Sequence, residues 1–398
     1  MIMLQNQKIH QVITENNDKM IELRRELHQY PELSYKEVET TKRIAREMDA
    51  LGIDYRLTQP TGLIADIKGN LPGKTILLRA DMDGLPVQEL NTHLPFVSKN
   101  DGVMHACGHD AHMSMLVSAA RALVSVKDEL KGTVRFVFQP AEEAGTGALK
   151  MIEQGATEGV DNAFGIHIWS GTPTGQIACP VGEMLAAVDV VRIHFKGKGG
   201  HGSRPHEAID ALLMASAFVT NVQAVVSREV NPIDSAVVTM GKMESGDRYN
   251  VIAQDAVLEG TVRTFTPEIR EQVAESVTRF AESIARQYRG SVEVDYQFVT
   301  EPVMNPEKDA KFVQQIVADC FGEEAIAHTD KSTIGEDFSY FTIKPDIPGA
   351  FAFVGTRNEK AGTTIEHHAS TFNIDEESLK YGAELYAQYA FQYLNSFE

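Results

Sequence analysis

The chain has 398 residues, 43% of them hydrophobic and 23% charged, with no low-complexity tract, so it describes a globular protein with room for two domains. Its formal net charge of -19 argues against nucleic acid as a partner and against anionic membrane surfaces, whose phosphates would repel it. Cys107, Cys179 and Cys320 are far apart and odd in number, and Met1 to His10 has no apolar core of signal-peptide length, so a reducing cytoplasm is expected.

The first predicted helix covers Gln7 to Gln29, with Ile9, Val12, Ile13, Met20, Leu23 and Leu27 on one side, and Tyr30-Pro31 ends it. Ser34 with Glu37 three residues on reads as a capping box, opening a helix through Leu51 that Gly52 closes. Strands over Gly62 to Lys68 and Thr75 to Arg79 follow, the second running into Asp81-Met82-Asp83-Gly84. An apolar helix, Met113 to Val126, leads to a strand over Thr133 to Phe138 and then to Glu142-Glu143. A strand over Ala163 to Ile168 carries His167 near its end. Three strands thus deliver Asp81/Asp83, Glu142/Glu143 and His167 to one edge. Their alternation with helices predicts an α/β fold, a mostly parallel sheet covered by helices.

From about Gly182 the order becomes β-α-β-β-α-β: Ala187 to Lys196, Glu207 to Val226, Ser235 to Met243, Ala256 to Thr264, Pro267 to Tyr288 and Ser291 to Phe298. That is a split βαβ (ferredoxin-like) α+β domain, read as an insertion over 183–299 between two parts of a catalytic domain, 1–182 and 300–398. The second part has a helix over Asp309 to Phe321, a strand over Gly349 to Val354 and a C-terminal helix over Glu376 to Leu394. The most apolar long run, Ala211 to Val226, contains Thr220, Asn221 and Gln223 and is read as too short to span a bilayer.

The densest chemistry is His105-Ala106-Cys107-Gly108-His109-Asp110-Ala111-His112. Cys107 and His109 lie two apart, which on an extended strand end turns both to one side. Thiolate and imidazole are favoured ligands of zinc and similar divalent ions, and spare imidazoles are rarely crowded without use. A lone Cys or His would be read as packing; the cluster is not. Glu142 and Glu143 diverge after a buried-looking strand, so one can bind metal while the other takes a proton from water. Cys107, His109, Glu143, His167 and His368 supply two ions, three ligands each if Cys107 bridges, with open positions left for catalysis. His105 and His112 are read as capping or supporting residues. His201, among Gly197, Gly199, Gly200 and Gly202, is read as an exposed imidazole on a closely approached loop.

Arg79-Ala80-Asp81-Met82-Asp83-Gly84-Leu85-Pro86, His105 to Asp110, Gln139-Pro140-Ala141-Glu142-Glu143 and Gly335-Glu336-Asp337-Phe338 together resemble the aminoacylase/carboxypeptidase family of two-metal amidohydrolases. The likeness is greatest to the branch acting on hippurate, N-acetyl-diaminopimelate and auxin conjugates. It runs in order over nearly the whole chain. The resemblance implies hydrolysis of small N-acyl amino acids, with two divalent ions (zinc or manganese, with cobalt and nickel also fitting) on Cys107, His109, Glu143, His167 and His368. It implies Glu142 as general base, Asp83 as support of the metal centre, and Asn250 and Arg263 as carboxylate-binding positions. It also implies a homodimer made by the inserted domain, in which His201 reaches the neighbouring subunit's site and stabilises the oxyanion. The family pattern usually has Ser-Pro after the last ligand. Here Ala369-Ser370-Thr371-Phe372 follows His368, and the adjacent His367 competes for that role. A dipeptidase or carboxypeptidase with the same centre, or a metal-binding protein without catalysis, is the alternative reading.

Overall fold

A computed structural model describes residues 2–343 and 346–396. Its principal strands are β1 (Asp54–Leu57), β2 (Leu63–Lys68), β3 (Leu71–Asp81), β4 (Lys131–Gln139), β5 (Asn162–Pro173), β6 (Ile177–Ala178), β7 (Ala187–Lys196), β8 (Ala236–Ser245), β9 (Asp255–Thr264), β10 (Ser291–Thr300) and β11 (Gly349–Arg357). Two compact units result. The first comprises Met1–Gly182, Met304–Asp330 and Asp337–Glu398; the second comprises Glu183–Val303 and Lys331–Glu336.

The first unit holds a seven-stranded sheet in the order β1-β2-β4-β3-β5-β11-β6. The central β4-β3-β5-β11 run is parallel, and the flanking β1, β2 and β6 pair antiparallel. The central strands are apolar along their length because helices cover both faces. Ile76, Leu78, Phe164, Ile166, Ala352 and Val354 are all buried there. The helix His109–Ser125 is buried almost all round, packed by Leu379–Asn395, Ile2–Glu15 and Asn17–Gln29. A residue at its first turn is therefore held as firmly as any core side chain.

Several local expectations change. The first helix is two, Ile2–Glu15 and Asn17–Gln29. The break is at Asn16, whose side-chain amide donates to Val12 O and offers the backbone an alternative to the helix. No capping box forms at Ser34. The helix starts at Val38, and both capping residues are drawn away by buried partners described below. Gly52 does close that helix in the left-handed conformation. Cys107 and His109 are not on a strand end: Gly108, at φ 89, turns the chain directly into the helix that His109 opens.

The second unit's sheet has the order β8-β9-β7-β10 with every neighbour antiparallel, the arrangement of a split βαβ. Its helix continues past Asn221 through a π turn at Val225–Glu229. The resulting Ala211–Glu229 stretch is long and apolar enough to cross a membrane by length and composition, contrary to the shorter expectation. Met214, Phe218, Val222 and Val225 spend that apolarity in the core of this unit. The unit also runs to Val303, beyond 299, and takes in Lys331–Glu336. Ala186 N donates to Ser332 O and Ile334 O, which ties that short segment down by backbone bonds that leave no mark in sequence.

Candidate metal centre

The parallel strands of the first unit bring their carboxyl ends to one edge, where sites of open α/β sheets form. β3 ends in Asp81 and runs on to Asp83; β4 ends in Gln139 and hands over to Glu142 and Glu143; β5 carries His167. Between them sits the Cys107–His109 turn. A Cβ on Gly108 would lie 2.3 Å from Ile168 Cδ1, so the turn requires glycine both for its φ and for this close approach.

Two sets of ligand-type atoms converge there. The candidate atoms of Cys107, His109 and His167 lie within 4.8 Å of one another, and so do those of Cys107, Glu143 and His368. Cys107 belongs to both. Its sulfur is 3.4 Å from His167 Nε2, and Glu143 Oε1 is 3.3 Å from His368 Nε2 and 4.0 Å from His109 Nε2. Glu142 joins Glu143 and His109 in a third set of the same tightness.

The ring orientations suit this use. His109 Nδ1 donates to Asp83 Oδ1 at 3.2 Å, and His167 Nδ1 donates to Ile168 O at 2.5 Å, so each keeps Nε2 as an acceptor toward the centre. His109 Nε2 and Glu143 Oε1 are buried with no hydrogen bond among the described residues. Unsatisfied buried polar atoms are costly, and a cation where they converge would satisfy both. Charge points the same way. Burial, then Glu143, Glu142 and Asp81, push the Cys107 thiol well above its usual range, so it ionises only against a cation. Burial pulls His109 down, but Asp81 and Asp83 outweigh it and raise it to about 10, so a bound ion would take the place of the proton these carboxylates otherwise hold on Nε2. The donor set fits two divalent ions.

Asp83 organises the surroundings. Its Oδ1 also accepts from Glu142 N, and its Oδ2 accepts from Glu143 N and from the Ser34 hydroxyl. Glu37, buried, accepts from Tyr35 N, Thr61 Oγ1 and Ala141 N. These are the partners that draw Ser34 and Glu37 out of a capping box. Residues 367 and 368 part company: His367 Nε2 accepts from Ser170 N, its ring stacks on Trp169, and burial first, then the neighbouring imidazoles, push it down to about 3. His368 faces Glu143, whose carboxylate 3.3 Å away raises it, and His368 N donates to Ala106 O. His105 is buried and pushed down to about 4, chiefly by that burial.

Within the second unit, Gly200–His201 pairs with Val251–Ile252, which sets His201 beside Asn250: Gly202 N donates to Asn250 O. His201 is exposed, its Nδ1 accepting from Ser203 N and Oγ. Asn250 Oδ1 is buried and accepts no hydrogen bond among the described residues. Arg263 is held by Thr333 O, Val262 O and the Thr261 hydroxyl, all neutral acceptors.

Thiol, imidazole and carboxylate donors facing a common focus serve no packing need, and on this α/β frame they make the protein a metal-dependent hydrolase. Comparison with known proteins narrows the class. The chain belongs to Peptidase family M20/M25/M40, whose model matches residues 77–392. It is 40% identical to "Thermostable carboxypeptidase 1" of Saccharolobus solfataricus over 98% of this chain and 99% of that protein. It is 42% identical to "N-acetylcysteine deacetylase" of Bacillus subtilis, over 94% of this chain and 96% of that one. A solved Bacillus subtilis structure, described as a dinuclear metal binding peptidase from the M20 family, matches with a TM-score of 0.85 at 37% identity, covering 96% of this chain and 100% of that one.

Proposed function

We propose that the protein hydrolyses N-acyl amino acids to a carboxylic acid and a free amino acid. Cys107, His109 and His167 would hold one divalent ion, and Cys107, Glu143 and His368 would hold the other. Zinc or manganese is the proposed metal, with cobalt and nickel compatible with the same donors. The observation that carries the reading is the sharing of Cys107 by two donor sets with Glu142 beside them. When bound, the ions supply Lewis acidity that lowers the pKa of water to about 7 and polarises a carbonyl. Glu142 takes a proton from the water that attacks the amide carbon and returns it to the nitrogen as the carbon–nitrogen bond breaks. Asp83 fixes the backbone of Glu142 and Glu143, so base and ligand keep their separation.

Asn250 and Arg263 are proposed to bind the substrate carboxylate. Support for Arg263 is that its hydrogen-bond partners are neutral, which leaves its charge to an anion. The second unit, residues 183–303 with 331–336, is proposed to form a homodimer in which His201 serves the neighbouring subunit. A reducing cytoplasm suits Cys107, Cys179 and Cys320, which are all free thiols. Substrate profiling decides the chemistry: N-acetyl and N-benzoyl amino acids against dipeptides, each with zinc or manganese loaded. At least tenfold higher kcat/KM on the N-acyl compounds is expected. Preference for peptides would favour the carboxypeptidase reading, and no turnover of either would leave a binding protein.

A further inference from the structure

His112 lies one helical turn beyond His109, in the same packed helix, and has no place among the proposed ligands. Its ring is nonetheless the best-anchored imidazole of the cluster. Nδ1 is 2.6 Å from Asp81 Oδ1, and Nε2 is 2.9 Å from Ile168 N. A backbone N–H can only donate, so Nε2 carries a lone pair and the proton sits on Nδ1, donated to Asp81. Both ring nitrogens are thereby committed. Asp81, His109 and His112 do form a candidate ligand group by distance. The commitment of His112, and the Arg79 guanidinium 2.6 Å from Asp81 Oδ2, rule out a third ion there.

The far end of the contact is Ile168. Its N–H is taken by His112, its carbonyl accepts from His167 Nδ1, and its side chain lies against Gly108, between Cys107 and His109. One residue is thus gripped on three sides, and its carbonyl sets the ring angle of His167. The near end is equally fixed. Arg79 holds Asp81 and, at 2.9 Å, Asp337 Oδ1; Gln139 bonds Arg79 Nε and both oxygens of Asp337; Ala148 N donates to Asp337 Oδ2. Arg79, Asp81, His112, Gln139 and Asp337 are all fully buried. The Gly335-Glu336-Asp337-Phe338 motif acquires a purpose from this chain of bonds.

We infer that His112 is a positioning residue: as the neutral Nδ1–H tautomer it ties the buried Asp81–Arg79–Asp337 network to Ile168, and so orients His167 toward the ion it shares with Cys107 and His109. The inference rests on the two-ion reading. Asparagine and glutamine separate the two halves of the contact. His112→Asn places an amide where Nδ1 is, keeping a donor for Asp81 but leaving Ile168 N–H without an acceptor. His112→Gln reaches the Nε2 position and can accept from Ile168.

Each variant is dialysed against buffered zinc and counted for metal, and titrated through the emission of Trp169. That residue is the only tryptophan, with its ring 6.1 Å from His167 and stacked at 5.1 Å on His367. Supporting residues of metal ligands are worth about 10- to 100-fold in affinity. Wild type should hold two ions. His112→Asn should weaken one of them 10- to 100-fold, while His112→Gln stays within a few-fold of wild type. Wild-type binding in His112→Asn, or equal loss in both variants, overturns the inference. Should His112→Asn fail to fold, nitrogen NMR of the wild type decides. His112 is expected as the Nδ1–H tautomer both after chelation and after zinc loading. A proton on Nε2, or a metal-induced shift of that nitrogen, rejects it. Fewer than two ions in the wild type would sink the two-ion reading itself, and the tautomer measurement would still report on His112.

Discussion

Replacing Asp83 by asparagine tests whether the centre is held by one carboxylate. Asp83 is 1% exposed and receives four donors: His109 Nδ1 and Glu142 N on Oδ1, Glu143 N and the Ser34 hydroxyl on Oδ2. Asparagine has one oxygen to offer. If the oxygen replaces Oδ2, two N–H groups that cannot reverse, on His109 and Glu142, face an amide N–H. If it replaces Oδ1, those two are kept, Ser34 rotates to accept, and only Glu143 N is left facing a donor. The second rotamer should win. Its cost is that of one buried unsatisfied N–H, about 1–3 kcal/mol. Should all of it fall on the ion-bound state, zinc affinity drops by roughly 5- to 150-fold, at about 1.4 kcal/mol per tenfold. Competition against a chelator of known affinity measures this, alongside urea unfolding of the metal-free form. Asp83→Ala, which strands all four donors, should lose more on both counts. Unchanged affinity and stability in Asp83→Asn would refute the hydrogen-bond argument.

Glu142→Gln should keep its fold and both ions but lose about 10²- to 10⁴-fold in kcat, read under saturating substrate; near-normal turnover would remove it as the base. A buried network away from the strand ends predicts a pH dependence of stability. His28 bonds Asp110 and Glu89, and Arg24 also bonds Asp110. Burial and Arg24 pull His28 down, but Asp110 and Glu89 outweigh them and raise it; the carboxyls of Asp110 and Glu89 are held low despite their burial. His28 therefore stabilises fully below about pH 6.5 and less as pH rises through its folded pKa, while the carboxylates stabilise above about pH 4 and less in acid. The gap in unfolding free energy between wild type and His28→Gln should narrow from pH 6 to pH 9 in the metal-free protein; a constant gap contradicts this. For the proposed dimer, His201→Ala and Glu142→Gln should each be inactive alone. Mixed after subunit exchange, they should regain activity, because one site of each mixed dimer carries neither defect. Proven exchange without recovery would show that His201 does not act across subunits.

The cluster around Cys107 was legible because its ligand-type residues are adjacent in sequence, and the strand ends that meet it carry their acids within a few residues. The split βαβ order was legible from strand and helix periods alone. What escaped was long-range satisfaction of buried polar groups. Arg79 and Asp337 are 258 positions apart, and nothing in the local pattern of either marks the other. Ser34 and Glu37 matched a capping box in spacing, yet buried partners at Asp83 and Ala141 outbid the helix end for them. The role of His112 was read only as support, since tautomers follow from partners and not from spacing. His367 and His368 could not be separated before their surroundings were known.

The discontinuity of the first unit bears on how the protein comes into being. β11 pairs with β5 on one side and β6 on the other, so the interior of the first sheet waits for residues 349–357. The second unit needs only 183–303 and the short 331–336 segment, and its parts leave the ribosome earlier. A nascent chain therefore exposes the apolar flanks of β5 and β6 until residues 349–357 follow, the long-range pairing that folds late and aggregates readily. His368 emerges later still. A chain cut short before it retains one of the two candidate donor sets and lacks the other, so on the proposed reading it would hold fewer ions.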